Sequence, residues 1–95
     1  MRVHWSERAR RQVVEIFEYV VRDRPQAAEA LLDRLIERID LLSELPEQGR
    51  LWGEGVRPDL REVVFEPYRI VYRVGSNELS VLSVRHTRME AEESP

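Results

Sequence analysis

His86 and the arginines near it in the chain are the side chains best equipped to act on a charged partner. Arg61 stands in Leu60-Arg61-Glu62. Arg69 and Arg73 stand in Pro67-Tyr68-Arg69-Ile70-Val71-Tyr72-Arg73-Val74, and Arg85, His86 and Arg88 in Ser83-Val84-Arg85-His86-Thr87-Arg88-Met89-Glu90. A guanidinium grips phosphate or carboxylate bidentately and stays charged, and an imidazole exchanges a proton near neutral pH. Strand alternation puts Arg69, Val71 and Arg73 on one face and Ile70, Tyr72 and Val74 on the other. The apolar trio marks the buried face, so Arg69 and Arg73 are expected to point outward, joined by Arg61 and by His86 or Arg88. That surface could hold a phosphate or a carboxylate. It could equally be a solvated face whose arginines pair with Asp59, Glu62, Glu66 and Glu78 and contribute little to stability. A second cluster, Arg8, Arg10 and Arg11, crowds a helix start, where the dipole disfavours cations.

The elements that would position these groups follow from periodicity. Val3 and Trp5 alternate with Arg2 and His4 as a short first strand, and Ser6 offers a helix N-cap. Ala9, Val13, Ile16, Phe17 and Val20 form an apolar stripe of helical spacing. Pro25 suits the first turn of a second helix, with the stripe Ala28, Leu32, Leu35, Ile39 and Leu42. Leu31, Ile36, Leu41 and Leu45 widen that helix's apolar surface. Gly49, Gly53, Gly55, Pro46 and Pro58 mark a loop carrying Leu51 and Trp52, Trp52 being either a core lid or an exposed contact. Leu60 to Phe65, Arg69 to Val74 and Leu79 to Val84 read as three antiparallel strands. Tyr19 and Tyr72 fall in periodic stripes and are expected in the core, Tyr68 at its rim. The predicted class is α+β, in the order β-α-α-β-β-β, with a helical hairpin packed on one face of a small antiparallel sheet.

The chain has 95 residues, room for a single domain over residues 1–95. Fifteen arginines and no lysine stand against eighteen acids. Glu90, Glu92 and Glu93 follow Arg88, so residues 1–88 are balanced in charge and residues 89–95 read as a flexible acidic tail. Without cysteine there is no disulfide framework, thiolate nucleophile or cysteine metal site. His4 and His86 lack a spaced ligand partner, so neither metal nor cofactor is expected. No apolar run reaches the roughly 20 residues of a membrane span and no signal peptide opens the chain, which favours the cytoplasm.

Several motifs occur together in a recognisable order. They are the opening strand with Trp5, Ala9 and Tyr19, Ala27-Ala28 with its Leu/Ile stripe, Leu45-Pro46, Gly49-Arg50, Leu60-Arg61-Glu62, Tyr68-Arg69-Ile70-Val71-Tyr72-Arg73, and Val84-x-His86-x-Arg88-Met89. The ordered set resembles the RelE/ParE superfamily of toxins from type II toxin–antitoxin systems over nearly the whole chain. The resemblance implies the helical hairpin on a sheet already read from periodicity.

It also implies a growth-inhibiting toxin held inactive by a cognate antitoxin of ParD or RelB type, with operator DNA met only through that antitoxin. RelE-like members cut messenger RNA in the ribosome. On that reading Arg61, Arg69 and Arg88 would hold phosphate and His86 would move protons. The roles that relatives give to lysines and a late tyrosine have no candidate here, since no Lys occurs and no Tyr follows Tyr72. The His86-x-Arg88-Met89-Glu90 ending resembles the ParE type, which poisons DNA gyrase by contact. The contact set would then be Arg69, Arg73, Arg85, His86, Arg88 and Met89. The antitoxin is expected to lay an amphipathic helix on Leu31, Ile36, Leu41 and Trp52. A third reading is a non-toxic subunit kept for antitoxin binding and co-repression.

Overall fold

The computed structural model describes residues 1–88. The expected tail, with Met89, lies outside the described residues. β1 (Arg2–Trp5) leads into α1 (Glu7–Asp23) and α2 (Pro25–Glu44). A 3₁₀ turn at Pro46–Gln48 precedes a two-residue strand, β2 (Arg50–Leu51). A second 3₁₀ turn at Trp52–Gly55 leads to β3 (Leu60–Phe65), β4 (Tyr68–Val74) and β5 (Glu78–His86). The helical hairpin packs on one face of a five-stranded sheet of order β1-β5-β4-β3-β2. The sheet is mixed rather than wholly antiparallel, because β1 runs parallel to β5. A long helical connection leaves a strand's direction free, whereas the short turns joining β3, β4 and β5 force antiparallel pairing.

The predicted stripes become the core. Ala9 from α1 and Leu35, Ile39 and Leu42 from α2 meet Ile70, Tyr72, Leu79, Val81 and Val84 from the sheet. Tyr19 is a correction: it is 72% exposed, since it sits off the Ala9–Val13–Ile16 line. Tyr68, expected at the rim, is buried.

β5 breaks strict alternation. Val71 pairs with Ser83 and Tyr72 with Val81, leaving Leu82 as an extra residue in a bulge. Leu79 and Val81 therefore face the helices, and so do Val84 and His86, while Ser83 and Arg85 turn to the other face. The bulge is held from α1. Ser6, the N-cap, accepts the Ala9 N–H and donates its hydroxyl to the Leu82 carbonyl, each at 3.0 Å. The Gln12 side-chain oxygen accepts the Val84 N–H at 2.8 Å.

At the other side of the sheet, the Tyr72 hydroxyl donates to the Pro46 carbonyl at 2.8 Å and accepts the Gly49 N–H at 2.9 Å. That pair ties the turn after α2 to β4. Gly49 leaves no room for a side chain, because a Cβ there would lie 2.5 Å from the Tyr72 hydroxyl and 2.7 Å from the Glu62 carbonyl.

Gln12→Leu leaves the Val84 N–H buried without a partner and should cost about 1–3 kcal/mol in urea unfolding. Ser6→Ala, which removes the cap, should cost about 1–2 kcal/mol. Burial pushes the Tyr72 phenol above its ordinary value. Its stabilising effect is therefore complete below the unfolded tyrosine value, about pH 10, and is lost as pH rises through the higher folded value. Tyr72→Phe should be less stable at pH 7 and should flatten the loss of stability between pH 9 and 11, read by denaturation at each pH.

Candidate functional site

Strand register sorts the candidate side chains onto two faces. Across β3, β4 and β5, one row of the face away from the helices is Val64, Arg69 and Arg85, and the next is Glu62, Val71 and Ser83. A third is Leu60, Arg73 and Ser80, which His4 of β1 extends. Arg50 of β2 stands beside Glu62. Arg50, Arg69, Arg73 and Arg85 thus share this face.

Glu62 organises it. The carboxylate, on a residue only 8% exposed, takes the Arg50 Nε at 2.7 Å on one oxygen and faces the Arg69 Nε at 3.6 Å with the other. The second contact is too long for a hydrogen bond, so Arg69 is held by charge while its buried Nε has no hydrogen-bond partner. The Ser83 hydroxyl, in the same row as Glu62, is likewise buried and unpartnered. Arg69 and Arg85 lie directly opposite one another, an arrangement of like charges that destabilises a sheet unless a counter-charge lies close. Arg73 reaches the Ser80 hydroxyl at 3.5 Å, and Ser80 donates to Glu78. At the rim, a hydrogen bond from Arg57 holds the exposed Asp59 carboxyl below the usual carboxylate range.

The sequence reading placed Arg61 and His86 with Arg69. The structure does not. Arg61 pairs with Tyr72 on the helix side, and its guanidinium donates to the Gly49 carbonyl at 2.8 Å. His86 pairs with Tyr68 on the same side and meets its ring edge-on at 5.8 Å between centroids. The bulge at Leu82 is the cause for His86, and in β3 the outward set is Leu60, Glu62 and Val64. Arg88 is exposed beyond the end of β5, and its backbone N–H is taken by His86 Nδ1 at 3.1 Å.

The expected apolar set also divides. Leu31 packs against the core. Ile36, 45% exposed, lines a groove between the helices with Trp5, Val13, the half-exposed Val14 and Leu32. Leu41 is five residues further along α2, well over a quarter-turn round the helix on the opposite flank, because helical spacing cannot bring both to one side. Trp52 is partly buried beside β2, at the sheet edge remote from Trp5. Missed in the sequence were Glu62 as the centre of the open face and Val14 as a groove residue. Glu62 was only one of four acids that could pair with the arginines, and strand register singles it out.

A family model described as the ParE toxin of the type II toxin–antitoxin system parDE matches residues 3–91. A protein of Sinorhizobium fredii named as a toxin, Y4kP, is 35% identical over 91 residues, covering 94% of this chain and 91% of its own. Toxin RelE2 of Caulobacter vibrioides is 36% identical over 85 residues, covering 88% and 92%. Among solved structures, the chromosomal ParDE system from P. aeruginosa superposes with a TM-score of 0.75 at 21% identity, covering 90% of this chain and 95% of the other. The isolated E. coli RelE toxin gives 0.56 at 25% identity, covering 97% and 87%.

Removing the carboxylate by Glu62→Ala takes away the counter-charge that Arg50 and Arg69 share. It should cost about 1–3 kcal/mol in chemical denaturation, and Arg73→Ala, at an exposed position, should cost less than about 0.5 kcal/mol.

Proposed function

Because the chain belongs to the ParE toxin family of type II toxin–antitoxin systems, we propose that it arrests growth by contact with DNA gyrase and is neutralised by a cognate antitoxin. The observation that carries this reading is the division of charged groups between the two faces. Cutting RNA through its 2′-hydroxyl needs a proton acceptor, phosphate-holding cations and a proton donor within reach of one phosphodiester. Here His86 and Arg61 stand on the helix side and Arg69 on the other. The sheet itself separates them.

Contact chemistry needs no such convergence. Arg50 and Arg69 are braced by Glu62, so their side chains lose less freedom when a partner binds. With Arg73 and Arg85 they offer a firm guanidinium surface for carboxylate or phosphate on a target. Arg88 lies beyond the end of β5, next to Met89 in the chain, whereas His86 turns to the helix side and drops out of this contact set. The antitoxin reading rests on the groove of Trp5, Val13, Val14, Leu32 and Ile36, whose apolar lining suits an amphipathic helix. Operator DNA would be met through that antitoxin.

Expression without antitoxin should stop DNA synthesis and raise the DNA-damage response before protein synthesis falls, followed by pulse labelling over the first minutes. Purified protein should inhibit gyrase supercoiling. The double variant Arg73→Glu, Arg85→Glu should lose that inhibition while keeping its thermal transition, and His86→Ala should keep it. Early loss of translation with cut transcripts, abolished by His86→Ala, would replace this reading with a ribosome-dependent endoribonuclease.

A further inference from the structure

A cleft of about 450 Å³ lies between α1 and the ends of β4 and β5, on the side opposite the arginine face. Ile16 and Val20 from the helix and Val84 from the sheet line it as an apolar floor. Most of the polar residues around that floor can donate, and Arg85 is among the lining residues with Gln12, Arg24, Tyr68 and His86. Tyr68 is 8% exposed overall and brings its phenol to the wall of the cleft. Burial raises its pKa, so it remains a phenol at neutral pH. Gln12 has committed its side-chain oxygen to the Val84 N–H, which leaves its two amide N–H bonds. His86 has committed Nδ1 to the Arg88 N–H, so the neutral ring carries its proton on Nε2. Arg24 adds a guanidinium, and Glu15 is the one carboxylate among the lining residues.

A site with this balance has more donors to offer than acceptors. We propose that the cleft binds a carboxylate-tipped apolar group of a partner polypeptide, an acidic side chain or chain end beside a bulky apolar residue. The apolar body would replace water over Ile16, Val20 and Val84, and the carboxylate would take the Tyr68, Gln12, His86 and Arg24 donors. The exposed Tyr19 also lines the cleft and favours a polypeptide over a free small acid. A large rigid aromatic beyond the donors is of use to a ligand that continues out of the pocket, and such residues anchor protein interfaces. The inference does not depend on gyrase being the target.

The test is an NMR titration of the ¹⁵N-labelled full chain with N-acetyl-phenylalanine, with its uncharged amide, and with an end-blocked seven-residue peptide centred on Phe-Glu. The acid should shift the amides of Gln12, Val84 and His86 and bind at least about tenfold more tightly than the amide. Tyr68→Phe and Arg24→Gln should each weaken it about fivefold or more, roughly the loss of one hydrogen bond. Arg24 is exposed, so that variant keeps the test open should Tyr68→Phe unfold. The peptide should bind more tightly than the free acid, and Tyr19→Ala should erase the gain. Equal binding of acid and amide, or no shift at these residues, overturns the carboxylate site. Tighter binding of the free acid than of the peptide overturns the polypeptide occupant. None of these readouts involves growth arrest or gyrase, so failure here and failure of the toxin reading are distinguishable.

Discussion

The extra residue in β5 decides which chemistry faces which way. Without the bulge at Leu82, alternation from Leu79 and Val81 would carry Ser83 and Arg85 into the helices and Val84 and His86 away from them. A buried arginine there would have to be paired or neutralised at considerable cost, and the core would lose Val84. The bulge interrupts the ladder, and the helix that covers it repairs the interruption. Ser6 takes the Leu82 carbonyl and Gln12 the Val84 N–H. One helix start therefore caps itself, docks on the sheet and stabilises the irregularity that sorts the last strand. This explains why α1 contributes so little bulk to the core, with Ala9 its one fully buried residue, yet is fixed in position.

A second constraint works on the other side. Tyr72 holds the turn after α2, the turn places β2, and β2 brings Arg50 to Glu62. The carboxylate is then shared between Arg50 and Arg69, and Arg69, opposite Arg85 in the ladder, has that counter-charge beside it. Arg50 and Arg69 are thus not independent cations, since one carboxylate lies between them. The placement of Arg50 beside that carboxylate depends on a tyrosine on the opposite face of β4, through a backbone turn.

Much of this was legible. The helical stripes Ala9–Val13–Ile16 and Ala28–Leu35–Ile39–Leu42 reflect burial on one side, and the runs Leu60–Phe65 and Tyr68–Val74 alternate as strands must. Ser6 and Pro25 mark helix starts for local chemical reasons that hold in any tertiary context. What was not legible depended on pairing between distant segments. The parallel placement of β1 has no local signature. The bulge had one, since Ser80 and Ser83, like Val81 and Val84, recur at a spacing of three that no regular strand produces. Read at period two, the same residues put His86 with Arg69. Tyr19 misled for a related reason: an aromatic near an apolar stripe looks like core until the helix is rotated onto its sheet.

The separation of His86 from Arg69 bears on how a shared fold supports different activities. Two surfaces meet at β5, the open sheet face and the cleft under the first helix, and a shift of one residue in that strand moves a side chain from one to the other. Catalysis asks for several groups on one surface, and here His86 and Arg69 stand on different ones. Binding asks only that each surface be stiff and chemically consistent. Arginines braced by Glu62 meet that condition on the open face, and the donors around Tyr68 meet it in the cleft. The sheet keeps the two surfaces apart, so an occupant of one would not collide with an occupant of the other.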